Sequence, residues 1–510
     1  MKQLILLALG VIVFSGAVRA MDVDPVKQPN VIFIKTDDQR FDSLSITGHP
    51  VIQTPNIDRL ANEGVFFENA FITSPICGPS RVNFLTGQWE RKNRQGFYHL
   101  SKNHISHKLF DNSWIMQLKY AGYCTGYIGK HHAQVGPPHE HQRYMKENID
   151  FCYMKEGHLG FDLMEHKEFQ NLKAGSQIEG LFEASEVFIR PGEDKDYFFE
   201  NAHESVADFL HKRDVSKPFA LSLNVNLPHA AGISGMGAKN SDPEMYRTLY
   251  NDVQDEFVFP KGYPNITVSL PDNVFRQDEL MRYYKTTDPR ALLDKKKKMA
   301  RAVAGIDQML GRLRVQLEEM GIAENTIIVF ASDHGLLLGE HGLGGKTFLY
   351  EECLRIPMII YSPYFSSERG TTVKELVVGQ DVPATILALC GLPVPDTYQG
   401  QSMVPLIEGK KLAWRKDVFC ENLFTDQQYP RMEAVRGAEW KYIRYFSKEN
   451  DRNKYLPDAS INGEQAIFEE LFNLKNDPGE QVNLAGNPEY AGILKKYQTR
   501  CQELVEELSR

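Results

Sequence analysis

Length, composition and charge place this chain among globular proteins with one large domain or two to three ordinary ones. Of its 510 residues, 42% are hydrophobic and 25% are charged, which excludes a disordered chain and a membrane bundle. The net charge is −9, so a polyanionic partner would have to meet a local basic cleft rather than the overall field of the molecule.

The first 20 residues resemble a signal peptide. Lys2 precedes the apolar run "LILLALGVIVF", and Val18 and Ala20 occupy the −3 and −1 positions of a cleavage site. The run is too short to span a bilayer comfortably, and no later segment has the roughly 18 apolar residues of a transmembrane helix. We therefore expect an exported protein, periplasmic or secreted, without a transmembrane segment; the alternative is an uncleaved or lipidated anchor at the N-terminus.

Strand and helix patterns alternate through the first 400 residues. "NVIFIKT" (30–36) is a continuous apolar run typical of a buried strand, and "TPNIDRLANEG" (54–64) is a helix pattern with Thr54 as N-cap, Pro55 in the first turn and Gly64 at the stop. Further strands are predicted at 124–129, 219–226, 326–332 and 357–362. This alternation predicts an α/β fold with a large mixed, mostly parallel sheet sandwiched by helices.

The remaining segments predict additions to that core. Residues 140–205 and 230–285 have weak periodicity and are interpreted as long insertions. The helix pattern at 295–321 opens with four lysines, which we interpret as a solvated helix face rather than a nucleic-acid site. Beyond 410, an antiparallel strand at 434–446 and an amphipathic helix at 490–509 predict a smaller α+β subdomain. The expected organisation is a signal peptide (1–20), a main domain (21–410) and a C-terminal subdomain (411–510).

Two predicted strands end in acidic residues. Asp37 and Asp38 follow the first strand, and Asp333 and His334 follow the strand at 326–332. Ligands of open α/β sheets bind beyond the carboxyl ends of the strands, so neighbouring strands would bring these groups together. Three carboxylates that close would repel each other without a cation, and oxygen ligands favour Ca²⁺ or Mg²⁺ over zinc. Taken alone, an Asp-Asp pair is more often a turn or a helix cap.

Cysteine usage raises a separate question. The seven cysteines show no Cys-x-x-Cys spacing, and their odd number leaves at least one unpaired within the chain. We expect Cys77, in "SPICGPSRVNFLTG", to be that free residue. A soft thiolate is a poor ligand beside carboxylates that select a hard cation, so an oxygen nucleophile would suit such a site better.

The stretch "CGPSRVNFLTG" resembles the Cys-x-Pro-Ser-Arg signature of the type I sulfatases, which share the alkaline-phosphatase-like fold. The segments "TPNIDRLANEGVFFENAF", "GYCTGYIGKHH", "SDHGLLLGEHGLGGKTFLYEE" and "LFNLKNDPGEQVNLA" are similar to further landmarks of the family, in the same order. The nearest motifs are those of iduronate 2-sulfatase-like and bacterial polysaccharide sulfatases.

The resemblance implies a modified cysteine and a bound metal. In the family, a formylglycine-generating or radical maturase enzyme converts the cysteine to Cα-formylglycine, whose hydrated aldehyde is an oxygen nucleophile. Arg81 would hold and polarise that hydrate. Ca²⁺, with Mg²⁺ as the alternative, would be bound by five residues: Asp37, Asp38, Asp333, His334 and the modified Cys77.

The resemblance also implies roles in sulfate binding and proton transfer. Lys130 and Lys346 match lysines that bind the sulfate, and His229, or a neighbouring lysine, would protonate the departing alcohol. His132 would deprotonate the second hydroxyl of the hydrate. The sequence has His131 where the family usually has tryptophan.

The implied activity is hydrolysis of a sulfate ester on a sulfated carbohydrate, such as a polysaccharide or an oligosaccharide. Two alternatives stay open. One is a phosphate or phosphonate monoester hydrolase of the same fold, and the other is a catalytically silent relative that binds glycans and keeps Cys77 as a thiol.

Overall fold

The computed structural model describes residues 28–97, 104–155, 206–229, 244–253, 256–263, 270–271, 273–275, 286–365, 368–423, 429–447 and 455–510. The predicted signal peptide lies outside these residues. The α-helices are α1 Pro55–Glu63, α2 Cys77–Thr86, α3 Glu90–Asn93, α4 His107–Asp111, α5 Trp114–Tyr120, α6 Pro138–Asn148, α7 Val206–Lys212, α8 Met245–Thr248, α9 Pro289–Glu319, α10 Glu351–Leu354, α11 Asp381–Leu389, α12 Val404–Ile407 and α13 Ala491–Leu508.

The strands are β1 Asn30–Asp37, β2 Val65–Phe67, β3 Ala70–Phe71, β4 Cys124–Lys130, β5 Phe151–Lys155, β6 Phe219–Pro228, β7 Thr326–Ser332, β8 Leu337–Leu338, β9 Gly344–Gly345, β10 Met358–Tyr361, β11 Thr371–Val373, β12 Val377–Val378, β13 Asp417–Asn422, β14 Met432–Gly437, β15 Trp440–Tyr445 and β16 Phe468–Asn473.

Eight strands form the main sheet, in the order β11-β2-β10-β7-β1-β6-β4-β5. Neighbours are parallel except at β10, which is antiparallel to both β7 and β2. The predicted mixed, mostly parallel sheet is thus confirmed. The direction of β10 was not predicted, because it depends on pairing with distant strands and leaves no local mark in the sequence.

Helices cover both faces of this sheet. On β1, Val31 and Phe33 enter the core beneath α2, α5 and α11, whereas Ile32 and Ile34 enter the core beneath α1 and α9. Apolar residues at every position of a strand therefore reflect burial on both faces. The predicted sandwich of the sheet between helices is confirmed.

The smaller sheet, β13-β14-β15-β16, is antiparallel and is packed against the C-terminal helix α13. The single strand predicted at 434–446 is wrong. The chain reverses between Gly437 and Trp440, and β14 and β15 form a hairpin in which Arg436 pairs with Lys441. The predicted C-terminal α+β subdomain and its terminal helix are confirmed as elements.

Two smaller expectations also differ from the structure. Within the region interpreted as an insertion from residue 140, α6 and the sheet-edge strand β5 are regular elements, and 156–205 lies outside the described residues. Thr54 precedes α1 but does not cap it; its hydroxyl donates to the Asp58 carboxylate at 2.9 Å. Among the described helices, none is long and apolar enough to cross a membrane.

Candidate active site

The two acidic strand ends lie side by side. Strands β1 and β7 are parallel neighbours in a register that pairs Thr36 with Ser332, so Asp37 and Asp333 come next to each other at the carboxyl edge. Two hydrogen bonds join the ends: Asp333 N donates to Thr36 O at 3.0 Å, and Asp38 N donates to Asp333 Oδ1 at 3.1 Å. Asp38 adopts a left-handed conformation, with φ of 64°, that turns the chain into the site.

Cys77 is the first residue of α2 and is fully buried among charged groups. Its Sγ lies 3.0 Å from Lys346 Nζ, 3.3 Å from His334 Nε2 and 3.6 Å from Asp37 Oδ1. A Cβ on the next residue, Gly78, would lie 3.1 Å from the His132 carbonyl oxygen, so glycine allows the chain after β4 to approach closely.

Arg81 and Lys130 bind the carboxylates from the side of α2 and β4. Arg81 donates to Asp333 Oδ2 at 2.8 Å, to Asp37 Oδ2 at 3.2 Å and to the Lys130 carbonyl at 2.9 Å. The Lys130 ammonium also donates to Asp37 Oδ2. Arg81 is buried and donates hydrogen bonds to both carboxylates, so it holds Asp37 and Asp333 in fixed positions.

Asp38 is surrounded by groups from three other segments. Lys346 Nζ donates to Asp38 Oδ1 at 3.1 Å, and His334 Nδ1 lies 3.2 Å from the same oxygen. His229, which follows β6, places Nε2 3.8 Å from Asp38 Oδ2. Lys346, His334 and His229 therefore all lie within 4 Å of the Asp38 carboxylate.

The two histidines after β4 have different surroundings. His131 is fully buried, accepts a hydrogen bond from Ala133 N through Nδ1, and packs 4.8 Å from the Tyr127 ring. His132 adopts a positive φ of 50° and is only partly buried. The pKa of His132 is held well below its usual value by burial and by Lys130, so its neutral, proton-accepting form is favoured.

Burial and neighbouring charges set the protonation of the carboxylates. Burial opposes ionisation of Asp37, but Lys130 and Arg81 outweigh it and hold the pKa of Asp37 well below its usual value. Burial raises the pKa of Asp38 to about 7, against the opposing effect of Lys346. For His334, burial is outweighed chiefly by Asp333, and the pKa rises to about 9.

The thiol of Cys77 is also perturbed. Burial and Asp37 raise its pKa, but Lys130, Lys346 and His334 outweigh them, so the net shift is downward. The N-terminus of α2 therefore stabilises a negative charge at position 77. Both the free backbone N–H groups of the helix N-terminus and the buried cations contribute to this effect.

The donor set fits a hard divalent cation. Ligand atoms of Asp37, Cys77, Asp333 and His334 lie within 4.8 Å of one another, and so do those of Asp37, Asp38, Cys77 and His229. Oxygens bound to one Ca²⁺ at 2.3–2.6 Å are at most about 5 Å apart, so this spacing fits. Asp38 Oδ2 is buried without a hydrogen-bond partner among the described residues, which is costly unless a cation or a donor meets it.

Two supporting residues were missed by the sequence analysis. The Ser80 hydroxyl donates to the Asp333 carbonyl oxygen and joins α2 to the end of β7. Thr347 N donates to Pro75 O at 3.0 Å, which ties the Lys346 segment to the chain entering Cys77. The serine of the Pro-Ser-Arg motif could have been found from its place beside Arg81, whereas a backbone bond leaves no signal in sequence.

This chain is similar in sequence and in structure to known enzymes. The chain is 28% identical to an N-acetylglucosamine-6-O-sulfatase of Bacteroides thetaiotaomicron, over 96% of this chain and 87% of the relative. A solved structure in complex with its substrate D-glucosamine-2-N,6-O-disulfate matches with a TM-score of 0.64 and 24% identity, over 94% and 98% of the two chains. A phosphonate monoester hydrolase of Agrobacterium radiobacter matches with a TM-score of 0.65 and 19% identity, over 94% and 96%. At these identities the two structures establish a shared fold.

Fold and site together define an alkaline-phosphatase-like hydrolytic enzyme. A family model described as Sulfatase matches residues 29–392, and one described as N-sulphoglucosamine sulphohydrolase, C-terminal, matches residues 339–507. The chain belongs to the sulfatase family.

Proposed function

We propose that this sulfatase hydrolyses sulfate esters of a sulfated carbohydrate, with the modified side chain of Cys77 as nucleophile. The observation that carries the proposal is the position of Cys77 Sγ, 3.0 Å from the Lys346 ammonium and 3.6 Å from the Asp37 carboxylate. Asp333 and His334 belong to the same cluster of possible metal ligands. The carbohydrate class is supported by the sulfated sugars named for the relatives.

The residue at position 77 needs an oxygen on its side chain to act beside a hard cation. Conversion of Cys77 to formylglycine, by a formylglycine-generating or radical maturase enzyme, would supply it as an aldehyde hydrate. In this account Arg81 orients the nucleophile indirectly, because its donors hold Asp37, Asp333 and the Lys130 backbone.

Ca²⁺ would be held by the two carboxylates after β1, by Asp333 and His334 after β7, and by the modified Cys77. When bound, it would supply positive charge to the transferring sulfuryl group and to the nucleophile. Mg²⁺ fits less well, since it prefers to keep several waters, whereas this site is buried and rich in protein ligands.

Lysines and histidines would bind the sulfate and move protons. Lys130 and Lys346 place two ammonium groups around the nucleophile, where they would stabilise charge on the sulfate oxygens. His229, or one of these lysines, would donate a proton to the departing alcohol oxygen. His132 would accept a proton at the nucleophile, consistent with its preference for the neutral form.

Binding of an anionic substrate would change the protonation state of His229. Burial, Lys346 and Lys130 hold the pKa of His229 well below its usual value, so the imidazole is neutral before substrate binds. A sulfate ester near the two lysines would offset their charge and favour the imidazolium that proton donation requires.

Export and domain organisation belong to the same proposal. A signal peptide at 1–20 would direct the protein to the periplasm or outside the cell, where sulfated polysaccharides are met. The catalytic domain would span 21–410 and the C-terminal subdomain 411–510. The antiparallel sheet from Asp417 to Asn473 supports that division.

The test compares 4-nitrophenyl sulfate, 4-nitrophenyl phosphate and a 4-nitrophenyl phosphonate monoester at equal concentration. We expect kcat/KM for the sulfate to exceed the other two at least about tenfold, because the chain matches the sulfatase family model over residues 29–392. Cys77→Ala should abolish the activity, whereas Cys124→Ala, outside the site, should not. Equal or faster phosphate or phosphonate hydrolysis would contradict the proposal in favour of the phosphatase alternative. Binding of sulfated glycans without hydrolysis would favour the silent relative.

A further inference from the structure

Lys296 occupies an unusual position on α9. The buried face of this helix includes Leu292, Met299, Ala300 and Val303, and Lys296 lies on the same face at helical spacing. It is one of the four lysines interpreted from sequence as a solvated face. Its side chain instead lines a cavity of about 290 Å³, the Lys296 cavity.

The other charged residues of the Lys296 cavity already have partners. Arg40 donates to both oxygens of Asp42, at 2.8 and 2.7 Å, and to Glu340 Oε1 at 2.9 Å. Glu340 also accepts a hydrogen bond from Leu338 N. Among the described residues, no carboxylate lies within 4 Å of the Lys296 ammonium.

An ammonium without a direct ion-pair partner is unfavourable in this position. Burial lowers the pKa of Lys296, and Arg40 adds to this effect, whereas Glu340 and Asp42 oppose it without coming within 4 Å of the ammonium. An anion bound in the cavity would stabilise the charged form and supply the missing acceptor.

A second donor faces the same cavity. His49 accepts hydrogen bonds through Nδ1 from Val51 N at 3.1 Å and Ile52 N at 2.9 Å. Since Nδ1 is an acceptor, the neutral ring carries its proton on Nε2, which is then a donor. Phe257 and Phe259 form an apolar part of the wall, so the cavity combines a few polar donors with apolar surface, as ligand pockets do.

The cavity adjoins the candidate active site along three separate chain segments. Arg40 follows Asp38 by two residues, and Pro228 immediately precedes His229. Glu340 belongs to the segment that continues to Lys346. A substrate that reaches from the nucleophile across this wall would meet Lys296.

We propose that the Lys296 cavity is a subsite for a second anionic group of the substrate, a carboxylate or a sulfate on a sugar next to the one that carries the scissile ester. The subsite rests on the proposed sulfatase function and narrows its substrate class to carbohydrates with a further negative charge. Lys296 and His49 would donate to the anion.

The test compares disaccharides that share one scissile sulfate ester and differ in the neighbouring sugar: a uronic acid, a sulfated sugar, or an uncharged sugar. For Lys296→Met, we expect KM on the charged substrates to rise about tenfold relative to KM on the uncharged one, with kcat changed much less. The charged neighbour that shows the larger ratio identifies the anion. Lys297→Met, one residue along the helix, is the matched control and should leave the ratio unchanged.

Methionine keeps the length of the lysine stem and suits the apolar face of α9, so this variant should fold; urea unfolding checks that. Equal KM changes on all three disaccharides, or none, would overturn the subsite. If the wild-type protein hydrolyses no sulfate ester, the proposed function fails instead. Calorimetric binding of an unsulfated uronate disaccharide to wild type and to Lys296→Met then tests the subsite by itself, and equal affinities would overturn it.

Discussion

Cys77 differs from the other cysteines in its electrostatic surroundings. All seven cysteines are free thiols, as expected for at least Cys77. Burial raises the pKa of Cys353, Cys390, Cys420 and Cys501, whereas cations around Cys77 bring its pKa down. Cys77 therefore differs from these four buried cysteines because cations of the candidate active site surround its thiol.

The carboxylates beside Cys77 predict a stability that depends on the metal. Adding Ca²⁺ to protein treated with a chelator should stabilise the fold by about 3 kcal/mol when free Ca²⁺ is about 100 times Kd, because the ion binds only the folded state. Thermal unfolding measures the shift. Asp333→Asn should remove most of it, and Asp214→Asn, an exposed carboxylate, should not. An unchanged midpoint in wild type on Ca²⁺ addition would contradict the metal assignment.

His141 predicts a separate pH dependence of stability. Burial lowers the pKa of His141 from 6.5 to about 4, and its ring lies 4.7 Å from that of His131. Because the folded state resists protonation, its stability is complete above pH 6.5 and is lost as pH falls toward 4, by up to about 3 kcal/mol. Urea unfolding between pH 7.5 and 4.5 measures this. His141→Phe should have a shallower pH dependence, and an identical slope would contradict the assignment.

At this scale, Asp37, Asp38, Asp333 and His334 were predicted from the residue types and their positions after strands, whereas the other roles were implied by the resemblance to the sulfatase family. Each of the ten predicted site residues lies in the candidate active site. Sequence did not distinguish His131 from His132, because their difference arises from a positive φ at His132 and from packing of His131 against Tyr127.

The segment from Glu340 to Leu354 connects the site to the C-terminal subdomain. The His341 ring stacks on Tyr350 at 3.8 Å between centroids and closes a loop with Lys346 inside it. The Tyr350 hydroxyl donates to Glu470 Oε2 at 3.1 Å, and Glu351 N donates to Glu480 Oε2 at 2.7 Å. Two residues of the smaller subdomain thus fix the loop that carries Lys346.

A second cluster of possible metal ligands, partly in this segment, lies against a lysine that replaces a metal ion as the positive charge. Ligand atoms of His341, Glu352 and Glu480 lie within 4.8 Å of one another. The Lys441 ammonium lies 2.7 Å from Glu480 Oε1 and 2.9 Å from Glu351 Oε1, so a protein cation already supplies the positive charge. The cluster is a buried ion-pair network.

This arrangement predicts that Tyr350 positions Lys346. Tyr350→Leu should lower kcat/KM on 4-nitrophenyl sulfate about tenfold, because loss of the stack frees the lysine to leave its place beside Cys77. The same substitution should have little further effect in a Lys346→Ala background. Tyr350→Phe, which keeps the stack, should retain most activity. Full additivity of the two substitutions would show that Tyr350 acts by another route.

Elements with strong local patterns were predicted, whereas the direction of β10 and the hairpin of β14 and β15 were not. The apolar runs of β1 and β7 and the helical spacing of α9 were sufficient for their assignment. The hairpin of β14 and β15 was missed because the alternation continues across its short turn, leaving Gly437 as the one signal.

Over the whole molecule, a buried charge network joins helix α3 to the smaller sheet. Arg91, in α3 of the main domain, donates to Glu421 Oε2 at 2.7 Å and to Glu433 Oε1 at 3.0 Å in the smaller sheet. These three side chains are fully buried. The network therefore fixes the position of the C-terminal sheet relative to α3.

Breaking this network should destabilise the molecule strongly. Arg91→Met should lower the free energy of unfolding by about 3–5 kcal/mol, because it leaves the buried Glu421 carboxylate without its cation. Glu433 keeps Arg444 as a partner. Arg94→Met, which breaks only an exposed pair with Asp458, should cost at most about 1 kcal/mol. Urea denaturation compares the two variants, and similar losses would contradict a structural role for the buried network.

Position 77 is proposed to carry an aldehyde in the working enzyme, and the mass of one peptide tests this directly. Trypsin should release residues 60–81, ending at Arg81. In protein made by a host with the modifying machinery, we predict a mass about 18 Da below that of the cysteine peptide, since conversion replaces the thiol by an aldehyde. An unshifted mass in protein that hydrolyses sulfate esters would show that Cys77 is not converted and that the nucleophile is a different group.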